Sequence, residues 1–242
     1  MTVKVGGNWT QNVTTTFVST GSTLVFNGTI AQAINNLGTS PTFNNITFTG
    51  TGAKTFSNNA ILVNGNFDIT GCNVAWGGAT TLTLMGNWIN TGGTGIYSPS
   101  TGTVLMNGGD VNIGAGPFNN LTIAGTASTT KLLTDNLVLN GTLTINANLT
   151  LDISPSIFSI STRTWVNSGT FTCRTGTVTF TGFSSTMTTG TAVGFNTGTN
   201  FYNLIVNKAT SGSAVNFPAG NDLAVLNNFT ISVGTVNLQT SA

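Results

Sequence analysis

The chain has 242 residues, a formal net charge of +1 and only 5% charged residues, against about a quarter in an average soluble domain. Its few charges are scattered singly, which excludes the basic stripe of a nucleic-acid-binding protein. With no histidine and no glutamate, the usual nucleophile–base pairs, zinc sites and paired carboxylates of enzymes are missing, so we expect no catalytic residue, no metal site and no cofactor.

A tryptophan segment opens each third of the chain. Gly7-Asn8-Trp9-Thr10 returns as Gly86-Asn87-Trp88-Ile89 and, more loosely, as Thr164-Trp165-Val166-Asn167. The three tryptophans therefore lie 79 (88 − 9) and 77 (165 − 88) residues apart. Long-range similarity of this kind predicts a repeat protein.

Three further signatures follow each tryptophan in the same order. The first is a turn and a strand: Ser19–Phe26, Ser100–Met106 and Arg174–Phe180. The second is a Phe-Asn-Asn-like strand: Phe43–Phe48, Phe118–Ile123 and Phe201–Val206. The third contains Asn-Gly or Asn-Asn: Leu62–Ile69, Val138–Ile145 and Val225–Ile231. The order predicts three degenerate modules of about 75–85 residues, at approximately 1–80, 81–156 and 157–242.

The segment Leu137–Ile153 gives the clearest local conformation. Its odd positions are mostly aliphatic and its even positions mostly Asn and Thr, which is the period of a strand with one buried face. This phase continues through Asn140-Gly141, so we interpret that site as a corner that turns the chain; a two-residue hairpin is the alternative. The equivalent positions Gly65, Gly141 and Asn227 predict a left-handed backbone there.

No apolar spacing of three and four residues persists, and Thr, Asn and Gly are poor helix formers. Short strands in a long repeat predict an all-β parallel β-solenoid (β-helix), one domain over 1–242, with three or four coils in each module. No stretch of 18 apolar residues occurs, so we expect no membrane insertion.

The two ends of such a solenoid are expected to join. An uncapped end exposes unpaired backbone and apolar core, and a nearly neutral chain has little charge repulsion to keep copies apart. The chain begins at a phase that recurs near Leu82 and ends where a fourth module would begin, which predicts complementary ends. The predicted self-assembly interface is Val3, Val5, Trp9, Phe229, Ile231, Val233, Val236 and Leu238.

Other residues offer weaker candidate sites. Eight Asn-x-Ser/Thr sequons are candidate glycosylation sites, with ladder or exposed asparagines as the alternative: Asn8, Asn12, Asn27, Asn45, Asn120, Asn140, Asn148 and Asn228. Cys72 and Cys173 are expected to be separate buried thiols, with one long-range disulfide as the alternative. The tryptophans are expected in the core; sugar-stacking platforms are the alternative.

The four signatures together resemble the Thr/Asn/Gly-rich repeats of large prokaryotic surface proteins and adhesins. The resemblance covers the whole chain and implies secretion, an extracellular or cell-surface location and an adhesive or scaffolding role. It assigns no functional residue.

We therefore expect a structural subunit of an extracellular filament or surface layer, whose partner is another copy of itself. The alternative is the stalk of a glycan-binding adhesin or phage fibre, with surface glycans as partners. Less favoured are an ice-binding protein, suggested by Thr-x-Thr pairs such as Thr81/Thr83, Thr142/Thr144, Thr170/Thr172 and Thr177/Thr179, and a polysaccharide-degrading β-helix enzyme.

Overall fold

The computed structural model describes residues 1–12, 14–15, 17–36, 42–57, 60–76, 78, 80–90, 96–98, 100–153, 158–189, 200–219 and 223–239. Within these residues the chain forms 29 β-strands and no helix. Every strand pair is parallel, and the strands stack as a β-solenoid of about ten turns. The predicted fold class is confirmed.

The first fifteen strands are β1 (Thr2–Val5), β2 (Trp9–Gln11), β3 (Thr23–Phe26), β4 (Gln32–Asn36), β5 (Thr42–Phe43), β6 (Asn45–Phe48), β7 (Lys54–Phe56), β8 (Ile61–Val63), β9 (Phe67–Ile69), β10 (Asn73–Trp76), β11 (Thr81–Leu84), β12 (Trp88–Asn90), β13 (Ile96–Ser98), β14 (Thr103–Met106) and β15 (Val111–Ile113).

The remaining strands are β16 (Asn120–Ile123), β17 (Thr130–Leu133), β18 (Leu137–Val138), β19 (Thr142–Ile145), β20 (Thr150–Asp152), β21 (Ser159–Thr162), β22 (Thr164–Asn167), β23 (Thr170–Thr172), β24 (Thr177–Phe180), β25 (Ser185–Thr186), β26 (Asn200–Asn207), β27 (Ala214–Phe217), β28 (Ala224–Val233) and β29 (Thr235–Leu238).

The sheets form three walls, which we name A, B and C. Wall A is the nine-stranded sheet β1-β3-β6-β9-β12-β15-β17-β20-β23. Wall B contains the five-stranded sheets β2-β4-β7-β10-β13 and β18-β21-β24-β26-β28, and wall C contains the seven-stranded sheet β5-β8-β11-β14-β16-β19-β22 followed by β25-β27-β29. From β1 to β25 each turn of the chain visits A, B and C in that order.

Alternation along each strand builds the core. In β14, Val104 and Met106 point inward and are buried, whereas Thr103 and Leu105 point outward. Because neighbouring coils pair in register, like side chains stack along the axis: the rings of Phe26 and Phe48 are 5.7 Å apart and nearly parallel. Such stacking gives the long stripe of buried apolar side chains that stabilises a solenoid.

The repeat of the sequence does not correspond to a whole number of turns. From β1 to β10 the chain forms ten strands and one isolated bridge at Val18. From β11 to β20 it again forms ten strands and one isolated bridge, at Phe118. In the described residues the first two modules therefore each occupy eleven wall positions, which is three turns and two walls.

Equivalent residues consequently lie on different walls. Trp9 is in β2 on wall B, Trp88 in β12 on wall A and Trp165 in β22 on wall C. The same displacement holds for Leu24, Val104 and Val178, which lie on walls A, C and B. Tryptophans from successive modules therefore do not stack on one another.

Asparagines link coils at the corner that precedes wall A. The Oδ1 atom of Asn45 accepts the backbone N–H of Asn66 (2.8 Å), and that of Asn66 accepts the N–H of Asn87 (3.0 Å). Asn87 in turn accepts the N–H of Asn112 (2.8 Å). Each side chain thus accepts a hydrogen bond from a backbone N–H of the next coil, at or beside the corner.

This ladder corrects the prediction for the Asn-Gly corners. Gly65 and Gly141 do not have the predicted positive φ. Glycine is instead required for space, because a Cβ would lie 2.2 Å from Asn45 Oδ1 at position 65 and 2.4 Å from Asn120 Oδ1 at position 141. The hairpin alternative is also wrong, since β18, β19 and their partners are parallel.

Candidate functional site: the two uncovered end coils

The last coil leaves core-type side chains exposed. Phe229 pairs with Leu204 and Ile231 with Val206, both of which are fully buried. Phe229 and Ile231 themselves are 44% and 52% exposed, because no described residue lies above them. The same coil places Leu238 over buried Phe217, yet Leu238 is 66% exposed. The predicted residues therefore form an apolar end surface.

Two predicted residues of this surface are placed differently. Val236 is half-buried over Val215. Val233 pairs with the exposed Asn207, beyond a register shift in β28, and so lies at a corner and not above the core. Leu226, which is 46% exposed, was missed by sequence reasoning. Leu226 directly follows Val225, so the alternation of the strand does not show which of the two is exposed; the register shift in β28 does.

The first coil offers a second apolar surface. Val3 and Val5 in β1 pair with Leu24 and Phe26, and all three predicted residues, including Trp9, are half-buried against the core. The Trp9 ring packs edge-on against Phe17 at 4.7 Å. Its indole Nε1 is buried without a hydrogen-bond partner among the described residues.

Strand edges accompany both surfaces. β1 and β2 terminate their sheets at the first coil, and β28 and β29 terminate theirs at the last. The outer edge of each of these strands has no strand partner among the described residues. An edge of this kind is a template for another strand. Between 223 and 239 no residue is charged, so the last coil carries no charge that would oppose such pairing.

Sequence reasoning missed three buried lysines. Lys54, Lys131 and Lys208 are spaced 77 residues apart (131 − 54 and 208 − 131), and each follows the second signature strand of its module, at 0–3% exposure. Each Nζ donates to a carbonyl of a neighbouring coil: Lys54 to Gly28 (3.0 Å), Lys131 to Gly108 (2.8 Å) and Lys208 to Thr181 (2.5 Å). Their constant spacing was the available signal.

These lysines make stability depend on pH. Burial, and then the charge of Arg163, lower the pKa of Lys208 to about 8 from 10.5. The unfolded chain therefore holds this proton between about pH 8 and 10.5 while the folded chain has lost it, so the Lys208 contribution to the free energy of unfolding rises with pH across this interval.

The measurement is urea unfolding between pH 7.5 and 10.5 for the wild type and Lys208→Met. We expect the stability difference, wild type minus variant, to increase with pH. Burial raises the pKa of the Cys72 and Cys173 thiols, which works in the opposite direction, but this effect is common to both proteins and cancels in the difference. A difference that is constant with pH would contradict the assignment.

The candidate glycosylation sites divide into two groups. Asn45 and Asn120 are half-buried and act as ladder acceptors, Asn120 for the N–H of Thr142 (2.9 Å). The other six are exposed: Asn8, Asn12, Asn27, Asn140, Asn148 and Asn228. Asn8 Oδ1 nevertheless accepts the N–H of Ala33 (2.9 Å).

In the described part of the chain, the cysteines and aspartates do not cluster into a site. Cys72 and Cys173 are separate, buried and free. Asp152 is buried and forms a two-pronged ion pair with Arg174, at 2.8 and 2.5 Å, that links adjacent coils. Among the described residues no group of three or more His, Cys, Asp or Glu is placed to hold a metal ion. Asp222 lies outside the described residues.

Two other surfaces bear on the alternative functions. An open groove of about 370 Å³ lies on wall A and is lined by Asn87, Trp88, Ile89, Asn90, Asn112, Gly114, Thr134 and Asp135.

The Thr-x-Thr pairs are divided among the walls: Thr81/Thr83 and Thr142/Thr144 on C, Thr170/Thr172 on A and Thr177/Thr179 on B. They form no continuous array.

Trp88 and Trp165 are at most 1% exposed and cannot act as sugar platforms, in agreement with the expected core role.

In the described part of the chain, no helix has the length and apolarity needed to cross a membrane. Comparison of the chain with protein-family models, with curated proteins and with solved structures gave no match.

Proposed function

We propose that this protein is a non-catalytic structural subunit of an extracellular filament or cell-surface layer, assembled by end-to-end stacking of solenoids. One observation carries the proposal: Phe229, Ile231 and Leu238 lie in the last coil over buried core side chains, yet about half or more of their own surface is in water. Another coil on top would bury them and pair the free edges of β28 and β29.

The extracellular location is supported by composition and by resemblance to secreted surface repeats. A surface dominated by Thr, Asn, Ser and Gly, with 5% charged residues, is unusual for a cytosolic domain. Stacking along the axis is the assembly that this shape favours, because each coil of a solenoid packs on the coils before and after it, and only the two terminal coils lack one of these neighbours.

The test is the behaviour of the purified chain at increasing concentration. Light scattering after size-exclusion chromatography should show concentration-dependent growth, and negative-stain images should show unbranched rods that lengthen in whole subunits. A protein that remains monomeric at every concentration up to the millimolar range would contradict the proposal, as would rods that associate only side by side.

A glycan-binding stalk is the second candidate, supported by the wall A groove. Its lining offers the amides of Asn87 and Asn112 and the carboxylate of Asp135, groups suited to sugar hydroxyls. A glycan array separates the two functions: a stalk predicts saturable binding that Asp135→Ala weakens, whereas a pure scaffold predicts none.

A further inference from the structure

The modules inside the chain already form two joints of a single kind. At the first joint the opening strand of the second module, β11, lies on β8, with Leu82 opposite Ile61 and Leu84 opposite Val63. One wall further on, β12 lies on β9, with Trp88 opposite Phe67. The two rings are 4.8 Å apart and nearly parallel. Asn90, opposite Ile69, completes the contact as a buried amide.

The second joint has the same register on different walls. The opening strand of the third module, β21, lies on β18, with Ile160 opposite Leu137. On the next wall β22 lies on β19, with Trp165 opposite Leu143 and the buried amide of Asn167 opposite Ile145. The two joints therefore share one form: an aliphatic pair, then a tryptophan on an apolar residue, then a buried amide on isoleucine.

Each half of a third joint is present at one end of the solenoid. The strand pairs identify the equivalent residues of the last coil, because Val63, Leu139 and Val225 lie opposite the second-signature phenylalanines Phe43, Phe118 and Phe201. Phe229 and Ile231 then take the places of Phe67 and Ile69. The first coil supplies the other half in Val3, Val5, Trp9 and Gln11, whose positions match those of Leu82, Leu84, Trp88 and Asn90.

We infer that a second copy of this chain docks on the last coil in this register. The inference rests on the proposed end-to-end assembly and names its geometry. β1 of the second copy lies opposite 223–225, with Val3 on Leu223 and Val5 on Val225. β2 lies opposite 229–231, with the Trp9 ring stacked on Phe229 and Gln11 on Ile231. The contact is parallel strand addition on two walls.

The module length makes this register possible without rotation. Among the residues that the structure describes, the third module runs from β21 to β29, and β26 and β28 each continue around a corner through a register shift, so it also occupies eleven wall positions. Three modules of eleven positions together make a number of positions that is divisible by three, so the chain completes whole turns of three walls. The position that follows β29 is therefore on wall A, which is the wall of β1. A chain of one or two modules would not complete whole turns, so the wall after its last strand would differ from the wall of its first strand.

The experiment is disulfide trapping between two single-cysteine chains, each built on Cys72→Ala/Cys173→Ala. In the proposed register Lys4 faces Ala224, as Thr83 faces Leu62 and Ser161 faces Val138. Paired strands bring their Cα atoms to about 4.8 Å, within reach of a disulfide. Mild oxidation of a mixture of Lys4→Cys and Ala224→Cys chains should give mainly a covalent heterodimer, with residues 4 and 224 linked in the mass spectrum of its peptides.

Two further cysteine combinations detect the alternative ways in which two copies could meet. Lys4→Cys mixed with Thr230→Cys traps a stack rotated by one wall, and Ala224→Cys alone traps a tail-to-tail dimer. Dominance of the rotated product, or rods that form without the 4–224 link, overturns the register but leaves end-to-end assembly standing. Dominance of the tail-to-tail dimer overturns the register and the filament together, because it covers both last coils and leaves no last coil for a further subunit. Absence of both rods and cross-links overturns the register and the proposed function together. A 4–224 dimer that never grows into rods supports the register and refutes only the filament.

Discussion

Replacement of Ile231 by aspartate is expected to abolish end-to-end assembly and leave a folded monomer. In the free chain Ile231 is 52% exposed, so a carboxylate there stays hydrated and costs the fold little. In a joint the same carboxylate would lie above buried Val206 without a counter-charge. Burying an unpaired charge costs several kcal/mol. Since about 1.4 kcal/mol is a tenfold change in affinity, association should weaken at least about 100-fold.

Thr230→Asp is the matched control for this prediction. Thr230 is the preceding residue of β28, but it pairs with the outward Ile205, so its side chain remains in water after stacking. Sedimentation velocity should show polymers for the wild type and Thr230→Asp and monomers for Ile231→Asp, with unchanged circular dichroism in all three. Rods that persist for Ile231→Asp would place the joint elsewhere.

Replacement of Trp88 by alanine is expected to have the largest effect on stability, about 3–5 kcal/mol of the free energy of unfolding. Trp88 is 1% exposed, stacks on Phe67 at 4.8 Å and packs edge-on against Tyr97 at 4.7 Å. Its indole N–H also donates to the carbonyl of Ala115 (2.9 Å). Removal of the ring leaves a cavity at the internal joint and a carbonyl without this donor.

Trp9→Ala is the corresponding change at the uncovered end. Trp9 is half-buried and has the edge-on partner Phe17 but no stacked partner above it in the free chain. We therefore expect a smaller loss, about 1–2 kcal/mol, in a monomer. Urea unfolding followed by far-ultraviolet circular dichroism at low protein concentration measures both variants. Equal losses for Trp9→Ala and Trp88→Ala would contradict the assignment of Trp9 to an open coil.

Strand-level features could be read from the sequence because they depend on local periodicity. The alternation in Leu137–Ile153 determines which side chains point inward, whatever the shape of the coil. Aliphatic and aromatic residues near both termini likewise indicated where an uncapped solenoid would be apolar. Phe229, Ile231 and Leu238 were found in this way, and the structure places all three on the exposed end.

The placement of the modules on the walls depended on the tertiary structure. Wall A residues in successive coils lie 20 to 25 residues apart, according to the length of the corners between strands. A module of 77 to 79 residues is therefore not a whole number of turns, and no local pattern shows that Trp9, Trp88 and Trp165 face three directions. The buried lysines and the Asn45–Asn66–Asn87 ladder depend on the same geometry.

By itself, then, the sequence determined an all-β chain with alternating faces, a threefold internal repeat and apolar ends. Only the tertiary structure decided how many residues complete a turn, and with that which residues of adjacent coils meet. The physical reason is that side-chain direction in a strand is set by neighbouring residues, whereas strand pairs between coils join residues 18 to 30 positions apart (177 − 159 and 215 − 185) through corners of variable length.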